Sequence, residues 1–359
     1  MIRGTPTALR IGLTNVTGLG ASQLVSSLLP ALEGTPGLRV EQLFLPESGE
    51  LASYCPRSER VRVTRWHRTL PKPLSRIVEC TLLGGRFDGV SPLLVLGDLP
   101  VRTRSRQIVF VQTPHLLPPP VGNSALRYAV ARAIFRANIE HVDGIIVQTA
   151  AMRDALLTAY RLSPGQVHIV AQPPPDWLLE SGRRRTGRLD PTNAPLRLVY
   201  PAAGYPHKNH QLLAGATQSE WTELVAELQL TIPVDAHPQP GSGWIRCVGR
   251  LQPAAMIEAY SRADALVFLS KAESFGLPLV EAMWLGLPII APDLPYARAL
   301  CGETAIYFDP DRSDSALDAV RALRARIDAG WWPDWSAELA KIPRDWNEVA
   351  EKIGDIVRG

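Results

Sequence analysis

Two carboxylates, Glu273 and Glu281, stand with seven residues between them in the stretch KAESFGLPLVEAMWLGLPIIAP (271–292), and a Phe-Gly-Leu-Pro turn lies in the middle. The apolar run ALVFLS just before it reads as a buried strand ending at Ser270. Pro278 suits the first position of a helix, where a missing N–H costs nothing, and Gly286 suits its end. A strand, loop and helix in this order leave free backbone N–H groups near Gly276 and Leu277, and a helix N-terminus is an anion site. Gly276 lets the backbone approach a phosphate closely. The spacing puts Glu281 in the first helical turn and Glu273 on the loop, so the acids bracket the anion pocket rather than pair. Carboxylates repel phosphates. They make chemical sense here as acceptors for hydroxyls, that is, for sugars on either side of a diphosphate. Either acid alone reads more simply, Glu281 as a partner of the helix dipole and Glu273 as a solvated loop acid. The whole string carries the reading.

The elements that must hold these residues recur along the chain. Candidate strands are 9–14, 40–45, 92–97, 107–112, 144–149 and 167–172, then 196–201, 227–232, 245–250, 265–270, 288–292 and 305–310. Amphipathic stretches such as ASQLVSSLLPALE fill the gaps. Short apolar runs alternating with helical patterns predict α/β architecture, with parallel sheets covered on both faces. The stretch 173–195 is rich in Pro, Gly and Arg without periodicity and reads as a linker. We therefore expect two doubly wound Rossmann-like domains facing across a cleft. The first spans 1–172 and the second 196–344. The amphipathic helix 345–359 has Trp346, Val349, Ile353 and Ile356 on one stripe and is expected to pack back on the first domain. Ligands of such sheets bind outside the carboxyl ends of the strands.

With 359 residues, 46% hydrophobic and 20% charged, the chain has the composition of a globular protein of more than one domain. Its apolar runs are far shorter than the roughly 20 residues that span a bilayer, and the first residues do not read as a signal peptide. The four cysteines (Cys55, Cys80, Cys247, Cys301) form no CxxC pair and read as reduced thiols of a cytoplasmic protein. The formal net charge of +3 is uneven. Residues 1–190 hold 23 basic and 14 acidic side chains, which leaves 15 and 21 for 191–359 from totals of 38 and 35. Segment 57–76 has seven basic residues, one acid and Trp66. It reads either as a solvated loop or as a patch for an anionic membrane surface. Nothing points to nucleic acid.

The string from 247 to 293 resembles the donor-site signature of GT-B fold, retaining glycosyltransferases of the family 4 type (glycosyl transferases group 1). The resemblance covers the second domain and implies roles for its residues. Glu273 would contact the donor sugar and Glu281 the ribose. The backbone at Phe275, Gly276 and Leu277 would meet sugar hydroxyls and diphosphate, and Gly249, Arg250 and Leu251 would lie against the base. YPAAGYPHKNHQLL (200–213), a strand expected to open a helix, puts Lys208 where the family keeps a lysine on the donor phosphates. The Arg that the family often carries six residues earlier is Ala202 here, which leaves His207 or Asn209 as partial substitutes. In the first domain, Gly18 and Gly20 resemble the glycine loop beneath the diphosphate. His115 falls where related enzymes carry a histidine near donor sugar and acceptor. Asp309 and Asp311 read as a turn or cap rather than a metal motif.

The resemblance thus implies transfer of a sugar from a UDP- or GDP-sugar to a glycan or lipid-linked hydroxyl, with retention, as in surface polysaccharide assembly. His115, Lys208 and Glu273 would be at the reacting atoms. No cofactor and no metal are expected. A nucleotide-sugar 2-epimerase of the same fold and a degenerate nucleotide-binding member remain as alternatives.

Overall fold

The computed structural model describes residues 5–16, 19–68, 70–117, 128–188 and 194–359. The chain divides into two compact units, Met1–Pro173 with Pro343–Gly359, and Pro174–Ile342. Among the described residues, each unit is built on one parallel sheet.

In the first unit the strands are β1 (Thr7–Gly12), β2 (Leu38–Pro46), β3 (Arg62–Trp66), β4 (Leu93–Val95), β5 (Gln107–Phe110), β6 (Gly144–Val147) and β7 (Val167–Ile169). They pair in the order β3-β2-β1-β4-β5-β6-β7, with parallel register throughout. β4, β5 and β6 are buried at every position, which is why they read as unbroken apolar runs. On one face, Leu24, Val25, Leu28 and Leu32 of the helix Leu19–Gly34 pack with Trp346, Val349, Ile353 and Val357 of the helix Trp346–Arg358. Asp345 caps that last helix by accepting the Glu348 N–H at 2.9 Å.

The other face holds Phe44, Trp66, Phe87 and Phe135. Here the basic segment 57–76 differs from its expectation as a loop. It contains edge strand β3, and Trp66 is a core residue stacked on Phe87 at 5.0 Å. Arg68 is also committed inward, donating to the buried Glu79 from Nη2 at 2.6 Å and from Nε at 3.0 Å.

The second unit has β8 (Leu196–Tyr200), β9 (Val225–Leu230), β10 (Ile245–Cys247), β11 (Ala265–Val267), β12 (Ile289–Pro292) and β13 (Ile306–Phe308), ordered β10-β9-β8-β11-β12-β13. The order reverses between β8 and β11, so the loops leaving these two strands flank a crevice at their carboxyl ends. Residues 174–188 do not run free of contacts. Arg183 donates to Ser261 at 2.8 Å, Arg185 bonds the Ala263 carbonyl, and Arg188 pairs with the buried Asp264 at 3.1 Å. Among the described residues, no helix is long and apolar enough to cross a membrane.

The terminal helix supplies a test of this packing. Ile353 is fully enclosed, whereas Ile356 is half-buried. Ile353→Ala should lower stability by about 2–4 kcal/mol, and Ile356→Ala by less than about 1.5 kcal/mol, in urea unfolding of the whole chain. Equal losses at the two positions would contradict the packing.

Candidate active site

The loops that leave β8 and β11 meet in one hydrogen-bonded cluster. After β8 the chain forms two successive 3-10 turns, Pro206–Lys208 and His210–Gly215, rather than the expected α-helix. Between them Asn209 takes a left-handed φ of 58°, a conformation asparagine tolerates, and its Nδ2 donates to the Pro310 carbonyl at 2.9 Å. The Asn209 amide is therefore already engaged, and His207 stacks on Tyr205 at 5.6 Å. From the β11 side, the Lys271 N–H and the Ser270 hydroxyl both donate to the His207 carbonyl, at 2.8 and 3.2 Å. The fully buried Tyr200 donates its hydroxyl to the Lys208 carbonyl at 2.8 Å. The backbone around Lys208 is thus fixed on three sides.

This lacing places the Lys208 ammonium against Glu273, with Nζ to Oε1 at 2.5 Å. Both side chains are largely enclosed, at 16% and 12% exposure. The ammonium also lies 6.0 Å from the Phe268 ring centroid. Burial pushes the Tyr200 hydroxyl well above its ordinary range, and the Glu273 charge adds to this, so Tyr200 stays a proton donor. The same two causes act on Tyr296, whose hydroxyl donates to the Ser270 carbonyl at 2.5 Å. His210 stands behind the lysine. Burial, with a contribution from Lys208, lowers it to about 4, so it is neutral at physiological pH.

Past Glu273 the chain buries Phe275 and turns at Gly276, the N-cap of the helix Leu277–Leu285. Gly276 has φ 99°, and a Cβ there would meet Leu279 at 3.1 Å, so only glycine fits without strain. No side chain caps this end, which leaves its first N–H groups for a ligand. Glu281 is the fifth helical residue and lies in the second turn, not the first as its spacing from Pro278 suggested. It points inward at 6% exposure, and Oε2 accepts the Tyr260 hydroxyl at 2.5 Å. Burial pushes the Glu281 carboxyl up to about 7, and the Tyr260 hydrogen bond opposes the shift.

Tyr260 lies on the helix Pro253–Arg262, which follows the turn at Gly249, Arg250 and Leu251. Gly249 has φ 71°, Leu251 is half-buried and Arg250 is exposed. This unit therefore pairs Lys208 with Glu273 at the β8 and β11 exits, with Phe275, Gly276 and Leu277 following directly in the chain, whereas Glu281 is bonded to Tyr260 within the helices. Tyr200, Tyr260 and Tyr296 escaped the sequence reading. Each is a buried tyrosine whose hydroxyl bonds a site residue or its neighbour, 8, 21 and 26 residues away in sequence, and no spacing signals these bonds. Asp311 accepts from Lys271 Nζ at 2.5 Å, and its own N–H meets Asp309 Oδ1 at 3.0 Å. It sits in a turn but is not a cap, since Arg312 is the N-cap residue of the helix that follows.

His115 and Gly20 belong to the first unit. Gly20 sits in the opening turn of the helix Leu19–Gly34 with open space where a Cβ would go, so no loop geometry there requires glycine. Gly18 lies outside the described residues. His115 occupies the 3-10 turn Pro114–Leu116 that leaves β5. Ala202 exchanges bonds with the Thr231 hydroxyl, its N–H donating at 2.9 Å. Among the described residues, no group of three or more His, Cys, Asp or Glu side chains is arranged to hold a metal ion.

The Glu281 environment has a consequence for stability. Its folded-state value of about 7 lies above the ordinary 4.5. The native state therefore keeps a proton that the unfolded chain has lost, and stability from this group falls as pH rises from about 4.5 to about 7. Glu281→Gln keeps an oxygen for Tyr260 and removes the buried charge. Its stability relative to wild type should improve between pH 5 and pH 8, on the order of 1–3 kcal/mol. A difference that does not change with pH would contradict this.

The comparisons bear on the same residues. A family model for glycosyl transferases group 1 matches residues 198–326. The serotype-specific mannosyltransferase WbdA of Escherichia coli is 40% identical over 86 residues, which is 23% of this chain and 10% of that protein. The matched region is thus about a tenth of that relative's length. The GDP-mannose:cellobiosyl-diphosphopolyprenol alpha-mannosyltransferase of Xanthomonas campestris is 34% identical over 97 residues, 26% of each chain. The solved sucrose-phosphate synthase of Thermosynechococcus elongatus superposes with a TM-score of 0.67 at 15% identity, covering 98% of both chains. That likeness shows the fold, two Rossmann-like domains of the GT-B type. Residues 198–326, with Lys208, Glu273 and Glu281 among them, make up a domain of the glycosyl transferases group 1 family on a GT-B fold.

Proposed function

We propose that this chain transfers a mannosyl group from GDP-mannose to a hydroxyl of a glycan or lipid-linked acceptor, with retention of anomeric configuration, in bacterial surface polysaccharide assembly. One observation carries the reading: the enclosed Lys208–Glu273 pair beside an uncapped helix N-terminus at the β8/β11 crevice. The names of the two relatives favour mannose, and one of them names GDP-mannose as donor.

In this mechanism the diphosphate takes Lys208 and the N–H groups at Gly276 and Leu277, where charge develops as the leaving group departs. Glu273, released from the lysine, accepts a hydroxyl of the transferred sugar. Glu281 offers Oε1 to the ribose while Tyr260 holds Oε2. The bond from the anomeric carbon to the phosphate oxygen breaks. The acceptor oxygen bonds that carbon on the same face, and its proton passes to the departing phosphate oxygen. His115, in the first unit, takes the role that the family resemblance assigns it, at the donor sugar and acceptor. A lysine and helix dipoles supply the positive field, so the step calls for no divalent ion.

GDP release from GDP-mannose, followed in EDTA, is the assay. Lys208→Ala should lower turnover about 30- to 1000-fold, the value of one charge-assisted phosphate contact. Glu281→Ala should weaken GDP binding. Glu273→Ala should leave GDP affinity unchanged and damage turnover. Normal turnover in the lysine variant, or equal loss of GDP affinity in both glutamate variants, would overturn these assignments.

The reading includes a peripheral contact with the anionic cytoplasmic face of a membrane. Trp66 is buried, so the contact falls to the apolar residues that are exposed: Leu74 at 53% and Ile77 at 37% on the helix Lys72–Cys80, with Leu70 at 47% and Leu82 at 79% flanking it. Arg62 and Arg65 on β3 are exposed in the same segment. Each basic residue near an anionic surface contributes on the order of 1 kcal/mol. Sedimentation with anionic vesicles should fall with rising salt and with Leu74→Ser combined with Ile77→Ser. If wild type does not sediment at low salt, the acceptor is met in solution.

A further inference from the structure

We infer that Asp98 is a positioning residue for His115, its carboxylate holding the turn that presents the imidazole. This rests on the reading of His115 given above.

The chain leaves β4 through Gly97 and Asp98. Gly97 lies against Asn15 so closely that a Cβ would come within 2.8 Å of the Asn15 Cβ, and the backbone has no room to relax there. Asp98 then takes φ 66°, a left-handed conformation that strains most side chains and that glycine adopts freely. A backbone outlier of this kind persists only where the surroundings hold it, and such outliers cluster at functional sites.

What the aspartate adds is a clamp on the neighbouring strand exit. Its Oδ1 accepts the N–H of Gln112 at 2.5 Å and of Thr113 at 3.1 Å, the residues by which the chain leaves β5. Gln112 Nε2 donates back to the Leu96 carbonyl at 2.7 Å, which ties the two exits a second time. Thr113 in turn caps the His115 turn, its hydroxyl accepting the His115 N–H at 3.3 Å.

The far side of the turn is held independently. The Arg132 guanidinium donates to the His115 carbonyl at 3.2 Å, and the Tyr160 hydroxyl to the Leu116 carbonyl at 2.6 Å. The imidazole stacks on Tyr128, centroids 4.2 Å apart and planes 13° apart. Asp98 is therefore the anchor on the β4 side, and without its carboxylate two backbone N–H groups lose their acceptor. Burial pushes the carboxyl up to about 6, against those two hydrogen bonds, so above neutral pH it is an anion and a strong acceptor.

The test uses Asp98→Ala, Asp98→Asn, His115→Ala and the double alanine variant, with GDP release from GDP-mannose, GDP affinity and melting temperature as readouts. Asn tolerates the left-handed backbone and keeps an oxygen at Oδ1. We expect Asp98→Ala and His115→Ala each to lower kcat about 10- to 100-fold with GDP affinity unchanged, which is the range of a misplaced reacting group. The double variant should lie within about threefold of His115→Ala, because one residue acts through the other. Asp98→Asn should keep at least about a third of wild-type kcat. Multiplicative losses in the double variant, or a loss in Asp98→Asn as deep as in Asp98→Ala, would overturn the inference while leaving His115 in place. Normal kcat in His115→Ala would instead remove His115 from the mechanism, and this inference with it.

Discussion

The loops leaving β8 and β11 meet at an enclosed ion pair, Lys208 with Glu273. Taking two charges out of water costs several kcal/mol per ion, and their attraction repays this only with good geometry and further hydrogen bonds. An apolar pair of equal volume would often be as stable. The surrounding bonds show how much of the local architecture serves this pair: Tyr200 fixes the lysine backbone, Ser270 and Lys271 tie the two loops together, and Asn209 ties the first to Pro310. A pair kept at such cost is poised to exchange. In the proposed mechanism Glu273 neutralises Lys208 until a stronger anion arrives, and the arrival of that anion frees the carboxylate for a hydroxyl.

Glu281 follows a different rule. It faces a tyrosine, not a cation, and burial alone would keep its carboxyl partly protonated near neutrality. The two glutamates therefore differ in partner as well as place. Glu273 is paired with a lysine. Glu281 can gain a proton at mildly acidic pH, and its capacity to accept hydrogen bonds then falls.

Much of this was legible in the sequence. The buried strands β4, β5 and β6 announce themselves as apolar runs, and β11 followed by Phe-Gly-Leu-Pro marks the loop and helix that carry Glu273 and Glu281. Strand β3 was hidden because, at the sheet edge, it shows no period-two apolar pattern: Arg62 and Arg65 are exposed, Val63 and Thr64 half-buried, and only Trp66 is in the core. Charge pattern alone made it a loop. The arginines misled in the same way, since many are internal struts. Arg10 is 2% exposed and donates to the Phe87 and Ser91 carbonyls and the Ser105 hydroxyl. Tyr260 and Glu281 are 21 residues apart and joined across two helices, so neither periodicity nor propensity could link them. Around Lys208 the Pro-x-Lys-Asn-His pattern suits a helix as well as the two 3-10 turns that form. Tertiary bonds to the β11 loop decide between them.

The central claim is that Lys208 changes partners. A structure of the chain with GDP-mannose or GDP bound tests this most directly. The account predicts that Lys208 Nζ leaves Glu273 and lies within hydrogen-bond distance of a phosphate oxygen, about 2.7–3.2 Å, at the Gly276 helix end. An intact Lys208–Glu273 pair with the diphosphate bound elsewhere would contradict it.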